Sequence, residues 1–549
     1  MKRKLQALLL AAGLSGALWA AAASVVDSPH NLSPTGPGQI RAAESAGVCE
    51  FCHIPHNAAP DLPLWSRDTS GTNYQPYSSS TVLAAPGQPN GTSLLCLSCH
   101  DGTVALGDVL SRVTPIAMAG GVTTMPAGDS LIGTDLSHDH PVSFVYDTVL
   151  ASQRGELSDP AVLPPHLSLD VSGQMQCTTC HDPHDNAFGD FLVMANTRSA
   201  LCVECHTETG WLISPHSQST ASWDGTGLDP WPESPAATVA DNACRNCHEA
   251  HEAVGGPRLL RFADEEMNCS ACHDGSVAAE DIMSLFARIS AHPIGASTGL
   301  HDPAEPALVD VRHVECADCH DAHGGDVGGV ALGGAAVQPA MQSYEVCLRC
   351  HGDSPGKGAP LVLRQLDQNN VRLEIQLANP SYHPIAGPGR NPDVPSLIAP
   401  LTPQSTIECI DCHNSNTAAS PGGAEGPHGS DFRPLLKMQY VTTDNTSESA
   451  ANYALCYSCH SRSSILNDQS FGEHRKHIVE ENSQCSACHD PHGISATQGN
   501  STNNTHLINF DINVVQPNSE GNLRFMDEGR FTGSCDLACH GEDHRGESY

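Results

Sequence analysis

Hydrophobic positions along this chain show little sustained periodicity. Long regular helices are not signalled. Apolar side chains are interrupted by 48 glycines and 39 prolines, and aromatic residues make up only 5%. Two stretches stand apart. The N-terminus, MKRKLQALLLAAGLSGALWAAAAS, sets Lys2, Arg3 and Lys4 ahead of an apolar run and places Ala21 and Ala23 as a small-residue cleavage pattern. Residues 1–23 therefore read as a signal peptide. That run is short for a membrane span, and nothing later is long and apolar enough to cross a bilayer. The second stretch is 361–377, LVLRQLDQNNVRLEIQL, where Val371, Leu373, Ile375 and Leu377 alternate and QNN offers a turn. It predicts a β-hairpin. Segments 207–243 and 324–340 are rich in Gly, Ser, Pro and Asp and read as linkers or long surface loops. The expected fold is mostly irregular coil with short helices and little sheet.

A chain of 549 residues would normally form several domains around apolar cores. Here the apolar side chains look thin for that, and the cysteines change the picture. All 24 fall into twelve close pairs, and the second of each pair is followed at once by histidine. In chain order, the sites are Cys49 and Cys52 with His53, Cys96 and Cys99 with His100, Cys177 and Cys180 with His181, and Cys202 and Cys205 with His206. Next come Cys244 and Cys247 with His248, Cys269 and Cys272 with His273, Cys316 and Cys319 with His320, and Cys347 and Cys350 with His351. The last four are Cys409 and Cys412 with His413, Cys456 and Cys459 with His460, Cys485 and Cys488 with His489, and Cys535 and Cys539 with His540. Eleven read C-x-x-C-H; the twelfth, CDLACH, has one extra residue.

Three chemistries use such cysteines. A disulfide framework needs no histidine after each pair. Zinc needs four ligands, and adjacent Cys-His is awkward for one tetrahedron. Covalent attachment of haem c accounts for every position: two sulfurs form thioethers to the porphyrin vinyl groups and the next residue offers an imidazole to the iron. Twelve porphyrins would also supply the missing apolar surface. Attachment motifs are expected on short helices or single turns.

The formal charge of −36 makes nucleic acid an improbable partner, since phosphate binding needs clustered Lys and Arg. It suits a well-solvated surface that attracts basic partners or cations.

Nineteen histidines lie outside the motifs, and twelve of them recur at fixed places as expected sixth ligands. His56, His184, His251, His323 and His492 follow an attachment histidine by three. They would point away from their own iron and toward a neighbouring one. His140, His292 and His383 precede a proline, His30 and His216 share S-P-H, and His428 and His477 complete the set, with His474 the alternative to His477. His138, His166, His301, His313, His474, His506 and His544 are left over and read mostly as surface residues. Each group of two motifs thus carries two extra histidines. Six groups give twelve irons with two imidazoles each, a ligation that holds iron low-spin at low potential. The order of motifs repeats between 30–206 and 216–351, with a diverged third copy at 383–540. Three tetrahaem modules are therefore expected at 24–210, 211–355 and 356–549, organised as repeated units.

With SPHNLS, CEFCHIPHN, CHDPH and CHDG, the chain resembles the doubled-CXXCH multihaem cytochromes c, relatives of class III cytochromes c found in metal-reducing bacteria. The resemblance implies electron transfer by bis-histidine haems in the periplasm or at the cell surface, with other redox proteins or extracellular electron acceptors as partners. It also implies a homopolymer, because some relatives form filaments in which a histidine of one subunit ligates a haem of the next. His30, ahead of the first module, is the expected donor. The competing function is reduction of a small oxyanion such as nitrite, which needs one open iron; no C-x-x-C-K occurs here to mark one.

Overall fold

The computed structural model describes residues 24–295, 314–324, 343–352 and 359–549, except 45, 57, 59–63, 233, 419 and 421–422. The signal peptide expected at 1–23, most of the 324–340 linker, His301 and His313 lie outside the described residues. The chain divides into two compact units: Met1–Thr207 with Ala250–Glu252, and Glu208–Glu249 with Ala253–Tyr549. The first carries four cysteine pairs. The second carries eight, taking in both stretches expected as the second and third modules.

Helices are short because most of them are attachment motifs. At His53, His181, His206, His248, His320, His413, His460 and His489 the histidine N–H donates to the carbonyl of the first cysteine at 2.8–3.0 Å, closing one α-turn. At three further motifs that turn ends a longer helix, Gly91–His100, Glu265–His273 or Tyr344–His351. The intervening residues are not idle. Asp318 and Asp411 reach back to accept from the N–H of Glu315 and Glu408, at 2.9 and 2.8 Å, as in a capping box. In CHDG the aspartate accepts from the N–H two residues on, Thr103 or Ser276, while Gly102 and Gly275 adopt φ of 74° and 92°. That left-handed step ends the helix.

Ten short strands occur among the described residues. They are β1 (Phe144–Val145), β2 (Gln174–Met175), β3 (Ser290–Ala291), β4 (Ser381–Tyr382), β5 (Gly429–Ser430), β6 (Gly493–Ile494), β7 (Val515–Gln516), β8 (Arg524–Gly529), β9 (Thr532–Cys539) and β10 (Glu542–Ser548). Three antiparallel ribbons pair β1 with β2, β3 with β5 and β4 with β6. The only larger sheet among the described residues is C-terminal: β9 pairs with β10 on one side and with β7 and β8 on the other. Among the described residues no helix is long and apolar enough to cross a membrane.

The hairpin expected at 361–377 does not form. Val371–Glu374 is one helical turn. The preceding residues lie instead along a distant segment, with Gln365 N–H donating to Phe510 O and Ile512 N–H to Leu363 O, each at 2.9 Å. Long-range partners satisfy that backbone. The alternating side chains share no sheet face: Ile375 is buried and Leu377 is 55% exposed.

The cores are small and adjoin the thiols. Ala42, Phe51, Leu106, Val109, Ile116 and Met118 pack beside Cys52 and Cys99. Ala487, Phe510, Val515, Phe525 and Leu537 pack beside Cys488, Cys535 and Cys539. Arg67, fully buried, donates to the carbonyls of Leu106 and Ala105 at 2.6 and 2.7 Å and braces the first of these clusters.

Candidate metal centres

The histidines form twelve facing pairs, with ring centroids 6.0–6.4 Å apart in every pair. Two metal–imidazole bonds of about 2 Å each, added to the two ring radii, span about 6 Å. The spacing fits one iron between each pair. Eleven pairs contain the histidine of a C-x-x-C-H motif.

Number the cysteine pairs 1 to 12 in chain order. The pairing then follows two rules. At even sites the partner is the histidine upstream of its group: His30 faces His100, His140 faces His206, His216 faces His273, His292 faces His351 and His383 faces His460. At odd sites the partner crosses back from two motifs further on. His184 of site 3 faces His53 of site 1, His251 of site 5 faces His181 of site 3, and His323 of site 7 faces His248 of site 5. His428, displaced from site 9, faces His320 of site 7, and His492 of site 11 faces His413 of site 9. The crossing places Ala250–Glu252 in the first unit, while the rest of its motif lies in the second.

Local chemistry holds each crossing histidine. In CHD-x-H the aspartate accepts from its N–H, at 2.9 Å for His184 and His323 and 3.3 Å for His492. The residue just before the crossing histidine turns its carbonyl to Nδ1 of the next ligand. Pro183 meets His30 at 3.2 Å, Ala322 meets His216 at 3.0 Å, Pro427 meets His292 at 2.9 Å, and Pro491 meets His383. One dipeptide therefore positions ligands for two irons.

Attachment histidines are anchored the same way. Nδ1 of His100, His181, His248, His413 and His489 donates to the carbonyls of Ser130, Asp190, Arg258, Pro434 and His506 at 2.7–3.1 Å. Asp190, Arg258 and His506 themselves hold positive φ, between 47° and 67°. This left-handed backbone, costly for non-glycine residues, is spent on aiming a carbonyl. With Nδ1 occupied, Nε2 is the nitrogen left for metal.

Four of the five crossing histidines meet carboxylates instead. His251 Nδ1 lies 3.1 Å from buried Asp139, and His492 Nδ1 lies 3.3 Å from buried Glu374. His184 and His323 lie 3.4 and 3.5 Å from the more exposed Asp182 and Glu208. Burial draws the pKa of His251 and His492 down, but their carboxylates outweigh it and both end above the ordinary value. Elsewhere burial prevails: His248, His413, His428, His460 and His489 fall to about 4 and His474 to about 3. Those imidazoles are neutral at physiological pH, the form that binds metal. Glu374, Asp490 and His492 also cluster closely enough for a separate cation. His492 already faces His413, so the acids read as its support.

All 24 cysteines are unbridged; Cys49 is exposed and the rest are partly buried. Successive sites touch through them. Cys96 and Cys177, Cys269 and Cys316, Cys347 and Cys409, and Cys456 and Cys485 lie within thiol hydrogen-bonding reach of each other. Cys52 with Cys99, Cys180 with Cys205, Cys247 with Cys272, Cys319 with Cys350, Cys412 with Cys459, and Cys488 with Cys539 lie within electrostatic reach. Within each unit the sites run in sequence order without a gap.

The doubled-CXXCH family model matches residues 170–210, 237–278 and 309–356. These stretches hold sites 3 and 4, 5 and 6, and 7 and 8. The paired motifs indicate a multihaem c-type cytochrome. They imply covalently bound haem c and suggest an electron-transfer role for this cytochrome. No curated protein matches the chain.

Several expected or leftover histidines sit elsewhere than the sequence suggested. His30 faces His100 within the chain. His56 is exposed and faces no second imidazole among the described residues. His474 and His477 both face partners, His489 and His544 respectively. His540 faces none among the described residues; its Nε2 contacts the Asp444 carboxylate at 2.9 and 3.1 Å. The signal that could have flagged His544 is GEDH, a histidine just beyond an irregular motif.

Proposed function

We propose that this cytochrome carries electrons through twelve covalently bound haems, eleven at C-x-x-C-H motifs and one at Cys535 and Cys539. The observation that carries this reading is the uniform spacing of twelve imidazole pairs, set beside thiols in sequence order. Bound haem supplies reversible one-electron chemistry, at the low potential that two imidazole ligands favour. The chain's own residues do the rest. Thiols add across vinyl groups, sulfur to one carbon and hydrogen to the other, with no net oxidation. Nδ1 bonds fix many of the rings, and the buried acids Asp139 and Glu374 enrich the imidazole they face, which lowers the potential at sites 3 and 9. Two facing imidazoles leave no open position, which favours carriage over reduction of nitrite or a similar oxyanion.

The N-terminal pattern supports export to the periplasm or cell surface, and the charge of −36 supports basic redox partners or cationic acceptors. Metal reduction in extracellular respiration is the proposed setting. A polymeric form is favoured by His56, which by the crossing rule should serve an iron two motifs earlier. Intact mass and electron paramagnetic resonance of the exported protein test the core reading. Twelve haem masses and wholly low-spin ferric iron are expected. A high-spin population that turns over nitrite would replace this reading with the reductase.

A further inference from the structure

We infer that the last site binds its iron through His544, across a β-hairpin, and that its motif is C-x-x-x-C-x-x-x-x-H. This rests on the proposed haem reading. In a C-x-x-C-H turn, positions i, i+3 and i+4 lie on one face of a helix. CDLACH is not helical: Cys535 and Cys539 lie on strand β9. Side chains alternate along a strand, so Cys535, Leu537 and Cys539 share a face, and the residue next to Cys539 cannot join them.

That residue, His540, lies past the end of β9 at the turn to β10, with φ of 49°, and spends Nε2 on Asp444. The imidazole on the thiol face comes from β10. His544 stands directly opposite Leu537 in the antiparallel register, between the two thiols. Opposed residues of such a pair project to the same side. The same face carries buried Phe525, opposite Cys535, and buried Val515, opposite Cys539.

Two further observations agree. His544 faces His477 with ring centroids 6.4 Å apart, the spacing of sites 8, 10 and 11. Its Nδ1 is held by Glu547 at 2.7 Å, leaving Nε2 for metal as at His100, His181, His248, His413 and His489. His477 is held in turn through Nδ1 by the Glu473 carbonyl at 2.8 Å.

The test compares His544→Ala and His540→Ala in the full-length, haem-loaded protein. Readouts are intact mass, the haem content of the proteolytic fragment carrying Cys535 and Cys539, and the high-spin ferric signal. His544→Ala should convert one haem to high-spin, a signal quenched by added imidazole, or lose one haem mass. His540→Ala should match the parent. His544→Met, which keeps six ligands, should raise one potential without a high-spin signal. The reverse pattern, or equal behaviour of the two alanine variants, overturns the assignment. Low-spin haem at sites 1–11 with a haem-free C-terminal fragment overturns this inference and reduces the haem count to eleven while leaving the electron-transfer reading intact; haem missing from those eleven sites overturns that reading.

Discussion

Sites 11 and 12 are neighbours that solve one problem with two backbones. At site 11, Cys485–Cys488 is a single helical turn, and the His489 N–H closes on the Cys485 carbonyl at 3.0 Å. Five consecutive residues deliver both thiols and the imidazole. At site 12 the thiols lie four apart on β9, and the histidine on their face belongs to β10. The helix gathers ligands by local spacing, whereas the sheet gathers them by register. A helical site therefore tolerates distant rearrangement, and the strand site depends on its hairpin.

That contrast sets out the expected effects, largest first. Cys485→Ser with Cys488→Ser should remove one haem and slow electron passage through the second unit several-fold, because site 11 lies between sites 10 and 12. Cys535→Ser with Cys539→Ser should remove one haem and leave passage through sites 5–11 intact. Stopped-flow reduction distinguishes the two.

Next is packing. Leu537 is 6% exposed between the strand-borne thiols. Leu537→Ala should cost about 2–5 kcal/mol, read by denaturant melts. If it leaves site 12 unperturbed, register is not what holds that site.

Smaller is the tuning by acids. Glu374 is buried beside His492, while the Glu547 side chain beside His544 is 64% exposed. A hydrogen bond to a charged group is worth about 1.5–3 kcal/mol. Glu374→Gln should shift the potential of site 9 upward on that scale in a spectroelectrochemical titration, and Glu547→Gln should shift site 12 far less.

The smallest effect is electrostatic. Glu50, between the thiols of site 1, is held by the Arg112 guanidinium at 2.6 Å, which lowers its pKa to about 2. A depressed carboxylate stabilises above its ordinary 4.5 and loses that contribution as pH falls through about 2. Both side chains keep partial contact with solvent, 30% and 23% exposed, so the loss should be slight and reduced by salt. Arg524 and Asp536 at 2.7 Å are the counterpart within site 12, and Arg524→Met compared with Arg112→Met measures whether a sheet or a turn leans more on such a pair.

Attachment chemistry was legible in the sequence because thioether and imidazole positions are local, and five residues carry them. The supply of second histidines was legible as a count. Their partners were not: His251 meets His181 and His428 meets His320 only through long-range crossing, which no local spacing encodes. The carbonyls that aim Nδ1 were invisible for the same reason, since any residue has one. At 361–377 alternation suggested a hairpin, but Asn509 and its neighbours captured that backbone first. The C-terminal sheet was missed because a cysteine pair before a histidine read as a short helix or a single turn.

Electron microscopy of the exported protein at side-chain resolution tests the central claim most directly. One porphyrin is expected between each of the twelve imidazole pairs, with the last iron held by His477 and His544. Porphyrins on other histidines, or facing pairs with no iron between them, would contradict it.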